Sequence, residues 1–174
     1  MGNISVKTGD ITKEEVCAIV NAANNSLMGG GGVDGAIHRT GGQSILHECR
    51  EIRQKILPDG LPTGECVSTN AGDLPAKYLI KTVGPIYHKC GDKCAALLAS
   101  CYSNALKIAD ELDCKNIAFP AISTGIYGYP QEKAAEIDYK SVKYFLHSKS
   151  VMKVLFIFHN SRHVELFKKV LEER

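Results

Sequence analysis

The chain has 174 residues, 44% apolar and 23% charged, a composition that suits one soluble globular domain with a single core. A formal net charge of +2 leaves no basic arm or acidic tail that would ask for nucleic acid. No apolar run reaches a membrane span and the N-terminus lacks a signal-peptide pattern, so a cytoplasmic protein with no membrane partner is expected.

Ile4 and Val6 alternate as a short strand, and Gly9-Asp10-Ile11-Thr12 turns away from it. On residue chemistry alone Asp10 is a turn or helix-capping residue, because a carboxylate accepts from neighbouring N–H groups. Cys17-Ala18-Ile19-Val20 is an apolar run of the buried-strand kind. It ends at Asn21 and passes through Asn24 into four consecutive glycines, Gly29 to Gly32. Val33-Asp34-Gly35-Ala36-Ile37-His38 then starts a helix. A strand, a glycine loop and a helix start together form an anion-holding device. Glycines let the backbone approach a ligand, and the first helical N–H groups have no internal partners. The loop carries no lysine or arginine, so a phosphate here would be held by N–H groups rather than by point charges. That excludes the P-loop pattern, and the GxGxxG dinucleotide fingerprint is also absent.

Gln43 to Leu57 places Ile45, Cys49, Ile52 and Ile56 at helical spacing, and Pro58-Asp59-Gly60 stops the helix. Glu65 to Thr69 and Tyr78 to Val83 read as strands, the second closed by Gly84-Pro85. Leu97, Leu98, Cys101, Ala105, Ile108 and Leu112 fit one face of a long helix. Asn116 to Pro120 is a buried strand, and Gln131 to His147 is a helix facing inward with Ala134, Ile137, Val142 and Phe145. Val154 to Phe158 is an unbroken apolar strand of the kind covered on both faces, and Val164, Phe167, Val170 and Leu171 finish on a helix. The alternation predicts an α/β fold, a three-layer α/β/α sandwich around a central mixed sheet, built as one domain over residues 1–174.

Between the strand ending at Pro120 and the helix starting near Gln131 lies a second special loop, Ser123-Thr124-Gly125-Ile126-Tyr127-Gly128. It repeats the design of the first: hydroxyls, glycines and N–H groups beyond the end of a strand, again without lysine. Ligands of open α/β sheets settle beyond the carboxyl ends of strands, so two such loops can clamp a diphosphate from both sides. Tyr127 would then lie against the sugar beyond it.

Asn21-Ala22-Ala23-Asn24, Leu27, Gly29 to Asp34 and Gly35-Ala36-Ile37-His38 resemble the signature loop of the macrodomains, and within them the MacroD-type branch. Phe119-Pro120-Ala121-Ile122-Ser123-Thr124-Gly125-Ile126-Tyr127-Gly128-Tyr129-Pro130 resembles their phosphate loop. Thr63-Gly64-Glu65, Leu74 to Tyr78 and Val83-Gly84-Pro85 also look like macrodomain sequence, so the resemblance covers nearly the whole chain.

The resemblance implies an ADP-ribose site and hydrolysis of ADP-ribose esters. Asp10 and Ile11 would read the adenine, the carboxylate taking its exocyclic amine and the Ile11 N–H a ring nitrogen. Gly30, Gly31, Gly32 and Val33 would cradle the diphosphate together with Ser123, Thr124, Gly125 and Ile126. Asn24 would hydrogen-bond the distal ribose, and Asp34 would act as base or water-positioner. A bare helix cap is the alternative reading of Asp34, and a non-catalytic reader or a 1″-phosphate phosphatase the alternative readings of the site. Phe158, His159 and Asn160 occupy the place where the family holds adenine. His38 follows Asp34 by four residues on the same helical face, where a packing role is the ordinary one.

The implied ligands are ADP-ribose and O-acetyl-ADP-ribose, with mono-ADP-ribosylated proteins as further partners; a monomer without cofactor or metal is expected. Seven cysteines without an export signal are read as reduced thiols. His88, Cys90 and Cys94, with His47 and Cys49 upstream, could suggest zinc, but they lack paired CxxC units, and free cysteine commonly packs as a small apolar residue.

Overall fold

The apolar run before the glycines is the middle of a longer strand. In the computed structural model, which describes residues 3–148 and 151–173, that strand is β2 (Val16–Ala23), with Ala18 to Asn21 wholly buried. Five more strands join it: β1 (Ile4–Thr8), β3 (Cys66–Asn70), β4 (Ala76–Val83), β5 (Asn116–Phe119) and β6 (Lys153–Phe158). Their order in the sheet is β1-β6-β5-β2-β4-β3. Only β3, joined to β4 by a short connection, runs antiparallel to its neighbour; all other pairs are parallel. The sheet is mixed, as the sequence predicts.

Among the described residues five α-helices cover it: α1 (Gly32–Gly41), α2 (Gln43–Lys55), α3 (Cys94–Glu111), α4 (Gln131–Ser148) and α5 (Ser161–Glu172). Period-2 alternation along β2 decides which helices lie on which face. Ala18 and Val20 pack with Leu98, Tyr102, Val142 and Phe167 of α3, α4 and α5. Ile19 and Ala23 pack on the other face with Ile37 of α1 and with Ile45 and Cys49 of α2. This makes three layers. Among the described residues no helix is long and apolar enough to cross a membrane.

The cysteines depart from expectation. Cys17 is joined to Cys114 and Cys90 to Cys94, which leaves Cys49, Cys66 and Cys101 free. The reason is topological. β2 and β5 are neighbours, so Cys17 at the start of one meets Cys114 just before the other, with Cα atoms 5.5 Å apart across 97 residues of chain. Cys90 and Cys94 are one helical turn apart, at the entry to α3.

Candidate active site

Because β1, β2, β4, β5 and β6 all run the same way, their carboxyl ends meet at one edge of the sheet. The segments that follow β2, β4, β5 and β6 line a single cleft of about 490 Å³, a volume suited to a ligand of nucleotide size. Its described lining includes Ala22 to Asn24, Gly30 to Asp34, Gly84, Ser123 to Tyr127 and Ile157 to Asn160. It holds no lysine or arginine. Both glycine loops therefore face each other across one space.

The first loop is held by its own side chains. Asn24 Oδ1 accepts from the N–H and hydroxyl of Ser26, and Asn24 Nδ2 donates to the Gly29 carbonyl at 3.0 Å. Leu27, in the left-handed region at φ 62°, buries its side chain and anchors the loop to the core. Gly31 is the N-cap of α1 and offers no side-chain bond, so the first-turn N–H groups remain for an anion. Asp34 stands in that first turn without capping it. Its Oδ1 accepts from Asn21 Nδ2 at 2.7 Å inside the fold. A Cβ placed on Gly30 would lie 3.2 Å from Asp34 Oδ2 and 3.3 Å from Asn24 Nδ2, so both groups converge on one spot at the loop. The helix-cap reading of Asp34 is corrected accordingly: the carboxylate is tied to β2.

Behind Asp34, the His38 that shares its helical face is joined by a residue the sequence did not reveal, Lys81. His38 Nε2 stands 3.5 Å from Asp34 Oδ1 and 3.0 Å from Lys81 Nζ. Lys81 is wholly buried. Burial pushes its ammonium below the usual lysine range, with Cys49 and Asp34 pulling the other way. Burial, and next the Lys81 charge, hold His38 below the usual imidazole range against the pull of Asp34. The only sequence signal was register: Lys81 alternates with Leu79 and Val83, two core residues, so its side chain points inward with theirs.

The second loop is bent by Ser123 at φ 67° and by Gly128 at φ 74°. Tyr129 N–H donates to the Ser123 carbonyl at 2.9 Å, and Gly128 N–H to the Gly125 carbonyl at 3.0 Å. Gly84 is pressed against Ser123 Oγ and Ile122, where any side chain would collide. Ser123 Oγ is buried and has no hydrogen-bond partner among the described residues. Thr124, Gly125 and Tyr127 also line the cleft, while the Ile126 side chain is fully exposed at its rim.

At the far end Asn160 is the N-cap of α5, its Oδ1 accepting from the N–H groups of Arg162 and His163. Phe158 is buried and stacks on His163 with centroids 4.1 Å apart. His159, exposed, is the remaining one of the three. His163 was missed at the sequence level; it lines the cleft, and its Nε2 has no partner among the described residues. Asp10 and Ile11 follow β1 at the same edge, with Asp10 close enough to His159 of the cleft lining for the two charges to interact. Asp10 Oδ1 accepts from the Thr12 N–H and hydroxyl, and the hydroxyl contact above all holds its carboxyl below the ordinary range. Ile11 is buried in the core. The cysteines and histidines that could suggest zinc are dispersed: Cys90 and Cys94 are joined, Cys49 lies buried, and His47 pairs with Glu51 on an exposed face of α2.

A three-layer α/β sandwich with two cation-free anion loops over one cleft defines a class of phosphate-ester ligand sites. Comparison with known proteins narrows it. The Macro domain family profile matches residues 20–137. A macro domain-containing protein of Streptomyces coelicolor is 50% identical over 167 residues, spanning 96% of this chain and 97% of that protein. The Oceanobacillus iheyensis macrodomain solved with ADP superposes with a TM-score of 0.94 at 43% identity, covering 97% of this chain and 89% of that one. The Trypanosoma brucei macrodomain in complex with ADP-ribose superposes with a TM-score of 0.87 at 35% identity, covering 97% and 69%. The chain belongs to the Macro domain family.

Proposed function

We propose that this macrodomain binds ADP-ribose in the cleft and hydrolyses esters at its distal ribose. The substrates are O-acetyl-ADP-ribose and proteins carrying mono-ADP-ribose on Asp or Glu. Its similarity to macrodomains solved with ADP and with ADP-ribose supports the ligand. One observation carries the hydrolytic reading: Asp34 Oδ2 and Asn24 Nδ2 flank Gly30 at the loop, while Asp34 Oδ1 is fixed by Asn21. A carboxylate so held keeps one oxygen free for a water.

In this reading the N–H groups of Gly30 to Val33 hold the diphosphate from one side. Those of Thr124 to Ile126, with the Ser123 hydroxyl, hold it from the other. Tyr127 lies along the distal ribose and Asn24 orients its hydroxyls. Asp10 and Ile11 take the adenine, with His159 as the free side chain nearby. Asp34 removes a proton from the water that attacks the acyl carbon, with the substrate's phosphate assisting. The ester C–O bond breaks, the ribose oxygen takes that proton and leaves as ADP-ribose, and the acyl group is released as its carboxylic acid. General-base assistance of this kind contributes about 10²–10⁴-fold. The working unit is a monomer acting in the cytoplasm, and the reaction uses no cofactor.

The test follows free ADP-ribose by chromatography from O-acetyl-ADP-ribose and from a protein ADP-ribosylated on glutamate. Asp34→Ala is expected to lose about 100-fold or more of the turnover while ADP-ribose affinity by calorimetry stays within about threefold. Undiminished turnover in that variant sinks the role of Asp34. Tight binding without turnover in the parent protein identifies a reader, and phosphate released from ADP-ribose 1″-phosphate identifies a phosphatase.

A further inference from the structure

Ile19, Asn21 and Ala23 of β2 and Leu79, Lys81 and Val83 of β4 lie on the sheet face beneath α1 and α2, all of them buried. Asn21 and Lys81 are direct register partners in the middle of that face. The four residues around them are apolar, and an aliphatic side chain at position 81 would pack there with no charge to desolvate. Burying an ammonium is strongly unfavourable unless it is paired, so its presence calls for a counter-charge.

The counter-charge is Asp34, reached through one imidazole. Lys81 Nζ lies 3.0 Å from His38 Nε2, and that nitrogen lies 3.5 Å from Asp34 Oδ1. Asn21 Nδ2 donates to the same Oδ1 at 2.7 Å. Asn21 is thus bonded to Oδ1 directly and Lys81 to the imidazole beside it, and Oδ2 is left toward Gly30 and the cleft. Resting on the hydrolase reading, we propose that Lys81 is a positioning residue for Asp34: its ammonium, held beside Oδ1 by His38 Nε2, supplies the buried counter-charge to a carboxylate that Asn21 locks by Oδ1, so that Oδ2 meets the water.

The titratable groups facing Lys81 are Asp34 and His38 from α1 and Cys49 from α2, with Glu48 lying near Cys49. β2 presents only the neutral Asn21 at the register partner position. Burial pushes the Cys49 thiol up, so it stays neutral at pH 7 and is no counter-charge to Lys81. His38, held below its usual range, is neutral there too and can accept a hydrogen bond from the ammonium on Nε2 while carrying its one proton on Nδ1. A base must be unprotonated to take a proton from water, and a nearby cation favours that state of a carboxylate.

The experiment uses Lys81→Met, which keeps the length and removes the charge. On O-acetyl-ADP-ribose the acidic limb of its kcat profile is expected to move up by about one pH unit, with kcat falling about tenfold at pH values below that limb. KM and the ADP-ribose Kd should stay within about twofold. Its melting temperature should fall as well, since Met at position 81 leaves the buried Asp34 without its counter-charge, so the pH profile is the deciding readout. A folded variant with the parental kcat and pH profile overturns the proposal. A lower melting temperature with an unchanged profile also overturns it, because that marks a lysine with a purely structural role.

Nitrogen-15 NMR of the unaltered protein tests the arrangement without any variant. His38 is expected as the Nδ1–H tautomer at pH 7, and a protonated Nε2 overturns the proposal. If the parent protein turns over no ester, the hydrolase reading falls, and the NMR result still decides whether Lys81 is bonded to His38 as described.

Discussion

At residue 35 the chain leaves room for a hydrogen and little else. A Cβ there would stand 2.5 Å from the Gly30 carbonyl oxygen and 3.0 Å from Arg39 Nη1. The first of these is backbone, and it belongs to the loop that lies between Asn24 and Asp34. Gly35→Ala is therefore expected to destabilise the protein by about 1–3 kcal/mol through overpacking. It should also weaken ADP-ribose binding, because the loop must shift to admit the methyl group. Gly31→Ala is the control: it has a negative φ, and nothing lies within 4 Å of its added Cβ. That variant should lose no more than about 1 kcal/mol, the ordinary cost of alanine in place of glycine at an N-cap. Urea unfolding and calorimetry on the pair check both statements, and equal effects would show that the loop tolerates crowding. Four glycines in a row advertise a loop in the sequence. Which glycine is required for space was not legible there, since it depends on where the Gly30 carbonyl comes to rest.

At the level of elements, each strand and helix was legible because its apolar spacing is regular. β2 was legible by its unbroken apolar run, Cys17 to Val20, and the eighteen residues of α3 by their helical spacing. The cleft was legible for the same reason: both loops follow predicted strands. Three features were not. The Cys17–Cys114 junction and the Asn21–Lys81 pairing both need the order of non-consecutive strands, which local pattern does not carry. The third is Asn160. The resemblance placed it beside adenine, but in the fold its Oδ1 is already engaged by the first turn of α5. Asn160→Ala should cost about 0.5–2 kcal/mol of stability, the ordinary value of an N-cap. Because α5 begins beside Phe158 and His163, fraying there should also loosen their stack. Thermal unfolding reads the first effect and the ring shifts of His163 in NMR the second. A variant with the parental stability would mean that the cap contributes nothing here.

Across the whole molecule, the balance between burial and charge predicts two opposite pH trends. Burial holds His163 below the usual imidazole range, and burial raises the Asp138 carboxyl well above the usual carboxylate range, with the Tyr102 hydroxyl opposing in part. For His163 the unfolded chain takes up a proton below about pH 6.5 while the folded protein does not. Protons bound by the unfolded state favour unfolding, so this contribution to stability is present above that pH and is lost as pH falls through the depressed folded value. For Asp138 the sign is reversed. The unfolded carboxyl gives up its proton above about pH 3.9 while the buried one keeps it, so stability is lost as pH rises from there through the raised folded value. Removing each group removes its own trend. Melting temperatures measured from pH 4 to pH 8 should show His163→Phe gaining on the parent as pH falls below about 6.5. Asp138→Asn should gain on the parent as pH rises above about 4. A difference from the parent that does not change with pH, in either variant, would show that burial does not keep that group neutral in the folded protein.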